Sequence, residues 1–118
     1  MAPKLTDQRD IDFVLYEQLK VDAFLTSDKY KTFNKKMFDM VVKEAKNLAV
    51  KEISPTYTEC DKVGVVFENG SVKVPECLRK PHQLLVEGEW SALTESPEYG
   101  GQGLPFAIAQ AAMEYLTG

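Results

Sequence analysis

The residues of this sequence whose types and spacing could do chemistry are three glycines just before its last helical pattern. They are Gly100, Gly101 and Gly103, in the stretch PEYGGQGLP. Glycine-rich loops at helix N-termini can cradle phosphate, because unpaired N–H groups and the helix dipole favour an anion there. A P-loop would need Lys-Ser/Thr after its last glycine, where this chain has Leu-Pro, and a dinucleotide fingerprint would need a preceding strand in a βαβ unit. The residues favour the other interpretation, a tight, positive-φ entry into the helix.

The other reactive side chains form no recognisable constellation. Cys60 and Cys77 are the only cysteines, and they lack the CxxC or Cys/His spacing of a zinc site, so we interpret both as plain thiols. His82 is the only histidine, and a packing role is favoured because no nucleophile or second metal ligand stands near it. No acid/base pair or nucleophile triad is visible. We therefore assign no catalytic, cofactor-binding or metal-binding residue to the chain.

Helical periodicity organises the first half of the sequence. The apolar residues of RDIDFVLYEQL repeat at three- and four-residue steps, which predicts a first helix over about 10–24 with Asp10 as its N-cap. A second, longer pattern starts after Asn34, a favourable N-cap, and Pro55 is predicted to end it.

The middle of the chain adds a hairpin and a short helix. Asn69-Gly70 between two β-branched stretches predicts a small hairpin near 65–74, which should rest on helices because isolated hairpins are marginal in water. A third helix is predicted over about 81–87, with Pro81 in its first turn and Gly88 as a left-handed C-terminal cap. The fold class is therefore mainly α, a helical bundle-type domain with one small β-hairpin.

The last helix, predicted from Pro105 to Thr117, is apolar on nearly every side. Exposing such a helix would forfeit burial energy of about 25 cal/mol per Å². We therefore expect the chain to be part of a larger assembly that covers it. As a hypothesis, Phe106, Met113 and Leu116 make the chain self-associate when that cover is missing.

Length and charge limit the possible partners. The chain has 118 residues, enough for one core, and 14 basic against 18 acidic side chains, a net charge of −4. Nucleic acids and anionic membranes usually require a concentrated positive field, so neither partner is indicated. No apolar run approaches the roughly 20 residues of a membrane span, and the N-terminus has no signal core, so we expect a cytoplasmic protein.

Several motifs in order resemble the acyl-CoA dehydrogenases. PEYGGQGLP, followed by an alanine-rich helix with the acidic Glu114, is similar to the P-E-x-x-G-G-x-G loop of that family's N-terminal domain. RDIDFVLYEQL, ISPTY, FENGSVKVP and LLVEGEWSALTES resemble the longer members, which include methylthiopropionyl-CoA dehydrogenases. The likeness extends from about Arg9 to Gly118.

The resemblance implies an FAD enzyme that removes a proton from Cα and a hydride from Cβ of an acyl-CoA thioester. It further implies an electron-transfer flavoprotein as acceptor and a homo-oligomer when complete. Residues 1–33 would be an extension with one helix, and 34–118 a truncated N-terminal helical domain. The middle β-domain and the C-terminal helical domain, which in the family hold the flavin and the catalytic glutamate, would be absent. This piece alone should then be inactive and bind no FAD.

The resemblance also gives the glycine loop a role, because the family's N-terminal domain covers one wall of the active site. The residues expected to support that wall are Tyr99, Gly100, Gly101, Gln102 and Gly103. The alternative is a stand-alone helical interaction module derived from such a domain. A coding frame that continues past Gly118 into a β-rich segment would favour the enzyme, and an authentic stop the module.

Overall fold

The computed structural model describes residues 5–118, of which 67% are helical, and the predicted mainly α fold with a small hairpin is confirmed. The five α-helices of this part are α1 (Gln8–Asp12), α2 (Lys35–Leu48), α3 (Tyr57–Val63), α4 (Arg79–Glu87) and α5 (Phe106–Thr117). The strands are β1 (Val66–Glu68) and β2 (Ser71–Lys73). Short π-helical turns are Phe13–Gln18 and Ala49–Ile53, and 3-10 turns are Val21–Thr26, Ser54–Thr56, Glu76–Leu78, Trp90–Ala92 and Pro97–Tyr99. Residues 1–4 of the predicted extension lie outside the described part, and the division at residue 33 stays a prediction.

The N-terminal helix starts earlier and ends sooner than predicted. The Asp7 carboxylate accepts a hydrogen bond from the backbone N–H of Arg9 at 3.0 Å, so Asp7 and not Asp10 is the N-cap. Helical backbone continues through Phe13–Gln18 and is interrupted at Lys20, which has φ 50°. A left-handed residue cannot sit inside a right-handed helix, so the single helix predicted over 10–24 is wrong.

The second helix has its predicted start but not its predicted end. The side-chain oxygen of Asn34 accepts the N–H of Met37 at 2.9 Å, which confirms the N-cap. The α-helix ends at Leu48, and π and 3-10 turns carry helical backbone through Pro55 into α3. Pro55 stands in the first turn of a 3-10 helix, where its missing N–H costs no bond, so the prediction that it stops the helix is wrong.

Replacing Asn34 by alanine should destabilise the chain by about 1 kcal/mol, because the Met37 N–H loses its capping acceptor. Asn34→Asp is the matched control, since it keeps a side-chain oxygen at the same position and should change stability by only a few tenths of a kcal/mol. Urea unfolding followed by circular dichroism gives both values. Equal losses in the two variants would show that the side-chain oxygen does not stabilise α2.

Gly88 does not cap α4 in the predicted way. The helix begins at Arg79, so Pro81 does lie in its first turn. Gly88, however, has φ −82° and ψ 0°, and the left-handed residue is its neighbour Glu89, at φ 54°. A Cβ on Gly88 would stand 2.5 Å from Nε1 of Trp90. Glycine is needed here to make room for the indole, and the predicted left-handed cap is wrong.

The hairpin projects from the helices. Its antiparallel register pairs Phe67 with Val72, and all six strand residues are exposed. The prediction that it rests on helices is therefore wrong. Lys73 and Glu68 form an exposed cross-strand ion pair at 3.7 Å, which contributes little in water. The hairpin is held mainly through its two stems.

The core lies where α2 and α5 pack together. The face of α5 that packs into the core carries the buried residues Ile108, Ala109, Ala111, Ala112 and Tyr115. Across from it, α2 and the turn after it bury Phe38, Val42, Ala45 and Ala49, and flanking segments add Ile11, Leu15, Val21, Leu93 and Leu104. The many alanines let the two helix backbones approach closely. Within residues 5–118, no helix is both long and apolar enough to cross a membrane.

Hydrogen bonds and a cation–π contact hold the N-terminal segment against α2. The Tyr16 hydroxyl donates to one carboxylate oxygen of Asp39 at 2.6 Å, and Lys35 Nζ donates to the other at 2.8 Å. The same ammonium lies 4.1 Å from the centre of the Tyr16 ring, a cation–π distance. Burial, and then the bond to Asp39, raise the pKa of Tyr16, so the phenol keeps its proton and remains a donor.

Candidate functional site

The glycine loop is hydrogen-bonded to the segment just before it. The N–H groups of Gln102, Gly103 and Leu104 donate to the carbonyls of Ala92, Glu95 and Leu93 at 2.8–3.0 Å. Those of residues 99–101 donate to the Ser96 and Pro97 carbonyls at 2.9–3.1 Å. Every N–H from 99 to 104 therefore has a protein acceptor. The loop is a rigid entry into α5, and these donors are not available to a phosphate.

The three glycines serve two different purposes. Gly100 and Gly103 have φ of 83° and 66°, which agrees with the predicted positive-φ entry. Gly101 does not have positive φ, but a Cβ there would collide with the carbonyl group of Glu95. Gly101 is therefore required by the close approach of two backbone segments.

The five residues predicted to support a substrate wall form one continuous surface. Tyr99 is at its tip, with 82% of its surface exposed, and Gly100 is exposed beside it. Gly101, Gln102 and Gly103 are half-buried behind them. The loop joins α5 through Leu104 and Pro105, both buried, so the core fixes its position. Their part in a substrate wall stays a prediction.

An open apolar groove of about 710 Å³ runs between α5 and the N-terminal helical segment; we call it the α5 groove. Its apolar lining consists of Ile11, Val14, Leu15, Leu19, Phe106, Ala107, Ala111 and Met113. Phe106 is 67% exposed, and Glu114 and Asp10 add carboxylates to the lining. The apolar residues of α5 that do not pack into the core are exposed along this groove.

A second groove of about 300 Å³ lies on the other side of α5, against α4 and the indole of Trp90. His82 lines it but is exposed, so the predicted packing role of this histidine is wrong. Met113 and Leu116 are half-buried in its lining, and Met113 also borders the α5 groove. The outer surface of α5 is thus apolar across both grooves.

The charged groups near these grooves face the solvent. The glutamates at positions 87, 89, 95, 98 and 114 are all exposed. Burial, and then the nearby carboxylates of Asp12, Glu114 and Asp7, raise the pKa of Tyr115, which keeps the phenol protonated. Among residues 5–118, no group of three or more His, Cys, Asp or Glu side chains is placed to hold a metal ion. The arrangement can bind or brace an apolar partner.

Sequence reasoning missed the meeting of the two cysteines. Cys60 on α3 and Cys77 in the turn before α4 place their sulfur atoms 2.8 Å apart. The two sulfurs are not joined by a disulfide in this structure. The signal that could have found the contact is the hairpin itself, because its tight turn returns the chain to the end of α3.

Comparison with known proteins gives two relatives, both acyl-CoA dehydrogenases, whereas no family model matches. The chain is 37% identical over 65 residues to the 3-methylmercaptopropionyl-CoA dehydrogenase of Ruegeria pomeroyi, covering 55% of this chain and 11% of the relative. It is 27% identical over 120 residues to a broad-specificity linear acyl-CoA dehydrogenase of Mycobacterium tuberculosis. That alignment covers 100% of this chain and 20% of the relative. The chain thus spans a tenth to a fifth of the length of these relatives.

Proposed function

We propose that this chain is the N-terminal helical domain of an FAD-dependent acyl-CoA dehydrogenase that introduces an α,β double bond into an acyl-CoA thioester. The observation that carries the proposal is the alignment of the whole chain with one-fifth of such an enzyme, together with a second, shorter match to another. The higher identity of the shorter match favours the methylthiopropionyl-CoA dehydrogenase-like branch of the family.

In this proposal the chain covers one wall of the active site and leaves the chemistry to other parts of the enzyme. The internally bonded loop from Tyr99 to Gly103 supplies a fixed surface, because its backbone bonds leave little freedom to shift. Supporting a wall requires this rigidity, and it does not require an ionisable group. The exposed Tyr99 at the tip is the side chain best placed to touch a neighbouring domain or the substrate.

In this proposal, residues 5–118 do not hold the flavin by themselves. FAD carries a diphosphate, which binding sites usually hold with unpaired backbone N–H groups. The N–H groups of the glycine loop are already bonded to carbonyls of residues 92–97, and both grooves are open and largely apolar. We therefore expect the flavin to be held by parts of the enzyme outside these residues.

The α5 groove is the surface that we expect the rest of the same polypeptide to cover. Val14, Leu19 and Phe106 line this groove and are exposed to water. A covering segment would gain the free energy of burying these apolar side chains. The matches span only 11% and 20% of the two relatives, so an enzyme of their length has on the order of 500 further residues to supply the cover.

The proposal is tested by comparing the 118-residue chain with the same chain extended past Gly118. FAD and butanoyl-CoA binding are measured by absorbance and calorimetry, and turnover by reduction of an artificial electron acceptor. The extended chain alone should bind both ligands and turn over. Tight binding of FAD by the 118 residues would overturn our placement of the flavin, and a folded extended chain that binds neither ligand would overturn the enzyme assignment.

Self-association of the 118-residue chain should depend on the α5 groove. Phe106→Ser should weaken association by about tenfold or more, because each copy loses roughly 1.5–3 kcal/mol of potential apolar burial. Phe67→Ser is the matched control, since Phe67 is 73% exposed but lies on the hairpin, away from the groove. Sedimentation velocity over a concentration series measures the effect. Equal weakening by both variants would show that the groove is not the associating surface.

A further inference from the structure

The fold brings together two cysteines that stand far apart in the sequence. After α3 ends at Val63, the chain runs out along β1, turns, and returns along β2 to the buried Pro75. The two strands are paired residue for residue, so the returning chain arrives back beside α3. As a result, the sulfur of Cys77 lies 2.8 Å from that of Cys60.

This distance leaves little to be done for the two sulfurs to bond. A disulfide needs an S–S length of about 2.05 Å, so the sulfurs must approach by about 0.8 Å. Both side chains are half-buried, which leaves them partly accessible to a small reagent. Their elements, α3 and the turn Glu76–Leu78, are in contact, so the approach needs no rearrangement of the fold.

We propose that Cys60 and Cys77 are a reversible oxidation site, a dithiol that forms an internal disulfide by exchange with a small-molecule or protein disulfide. The bond joins α3 to the turn before α4 and closes the loop of residues 61–76, which contains the whole hairpin. Because the hairpin is exposed on both faces and held through its stems, this link controls how freely it moves relative to the helices.

The exchange takes two steps that balance. One thiol of the pair loses its proton, and its sulfur attacks one sulfur of the reagent disulfide and releases the first reagent thiolate. The other thiol then loses its proton, its sulfur attacks the protein sulfur of the mixed disulfide, and the second reagent thiolate leaves. Two protein thiols are oxidised and one reagent disulfide is reduced to two thiols.

The surroundings of Cys77 favour the protonated form of its thiol. Its hydrogen bond with Cys60, burial and the Glu59 carboxylate raise the pKa of the Cys77 thiol to about 11. Cys77 therefore keeps its proton at neutral pH. The Glu59 carboxylate acts on the pair, so an uncharged reagent is the suitable probe.

The test treats the 118-residue chain with bis(2-hydroxyethyl) disulfide, blocks remaining thiols by alkylation, and digests with trypsin. In the wild type, peptide 52–62 should appear joined to peptide 74–79, and reduction should separate them. The intact oxidised chain should be lighter by the mass of two hydrogen atoms. Separate peptides that each carry a reagent adduct would overturn the proposal, and this readout requires no variant.

Single-cysteine variants provide a second measurement. Cys60→Ser and Cys77→Ser cannot close the internal bond, so each should retain the reagent as a mixed disulfide. The wild type should carry at least about tenfold less adduct, because the second thiol is held at a high effective concentration next to the first. Equal adduct levels in the wild type and in both variants would contradict the proposal.

Discussion

Replacing Phe38 by alanine should destabilise the chain by about 3–5 kcal/mol, because it leaves a cavity in the middle of the core. Phe38 has no exposed surface and lies in the core between α2 and α5. Its ring centre lies 5.9 Å from that of Phe33, so the substitution also removes an aromatic pair. Small domains have a total stability of about 5–15 kcal/mol, so this loss would remove a large fraction of it.

The control for this variant is Met40→Ala on the same helix. Met40 is 60% exposed, and its removal should change the free energy of unfolding by about 0.5 kcal/mol or less. Urea unfolding by circular dichroism and by Trp90 fluorescence gives the two midpoints. A Phe38→Ala loss no larger than that of Met40→Ala would show that α2 and α5 do not form the core.

The features that the sequence predicted correctly depend on neighbours in the chain. Asn34 caps α2 through a hydrogen bond to a residue three positions on, and Asn69-Gly70 turns a hairpin of nearest strands. Where two neighbouring residues were both suitable for one position, such as a helix cap, the sequence alone did not identify which of them occupies it. Asp7 and Asp10 are both possible caps, and the left-handed position after α4 falls on Glu89 and not on Gly88.

In the candidate site, too, the features set by neighbouring residues could be predicted and those set by distant contacts could not. Positive φ at Gly100 and Gly103 could be predicted, because glycine before a helix is typical of a tight turn. That the loop's N–H groups are bonded to residues 92–97 could not, because those bonds depend on how the preceding segment folds back. The contact of Cys60 with Cys77 was within reach of the sequence, because the predicted hairpin turns the chain back to the end of α3.

Gly101→Ala should cost about 2–3 kcal/mol, because its new methyl group would collide with the Glu95 carbonyl group and force two backbone segments apart. That movement also breaks the bond at 2.9 Å from the Gly103 N–H to the Glu95 carbonyl. The collision is with backbone, which cannot turn away as a long side chain could. The loop should therefore lose its fixed shape even where the helical core survives.

The neighbouring glycine provides the matched control. Gly100→Ala places a methyl group in open space, and its cost is the strain of a positive φ, about 1 kcal/mol. Urea unfolding compares the two, and hydrogen exchange at Gly103 and Leu104 reports on the loop itself. Faster exchange in Gly101→Ala than in Gly100→Ala is expected, because only the former displaces the acceptor carbonyl of Gly103. If the two variants matched in both measurements, the close approach of Gly101 to the Glu95 carbonyl group would not be what requires glycine at position 101. The same two variants can be compared in an extended, active chain. If this loop supports the substrate wall, Gly101→Ala should weaken acyl-CoA binding and Gly100→Ala should not, because only Gly101→Ala changes the shape of the loop.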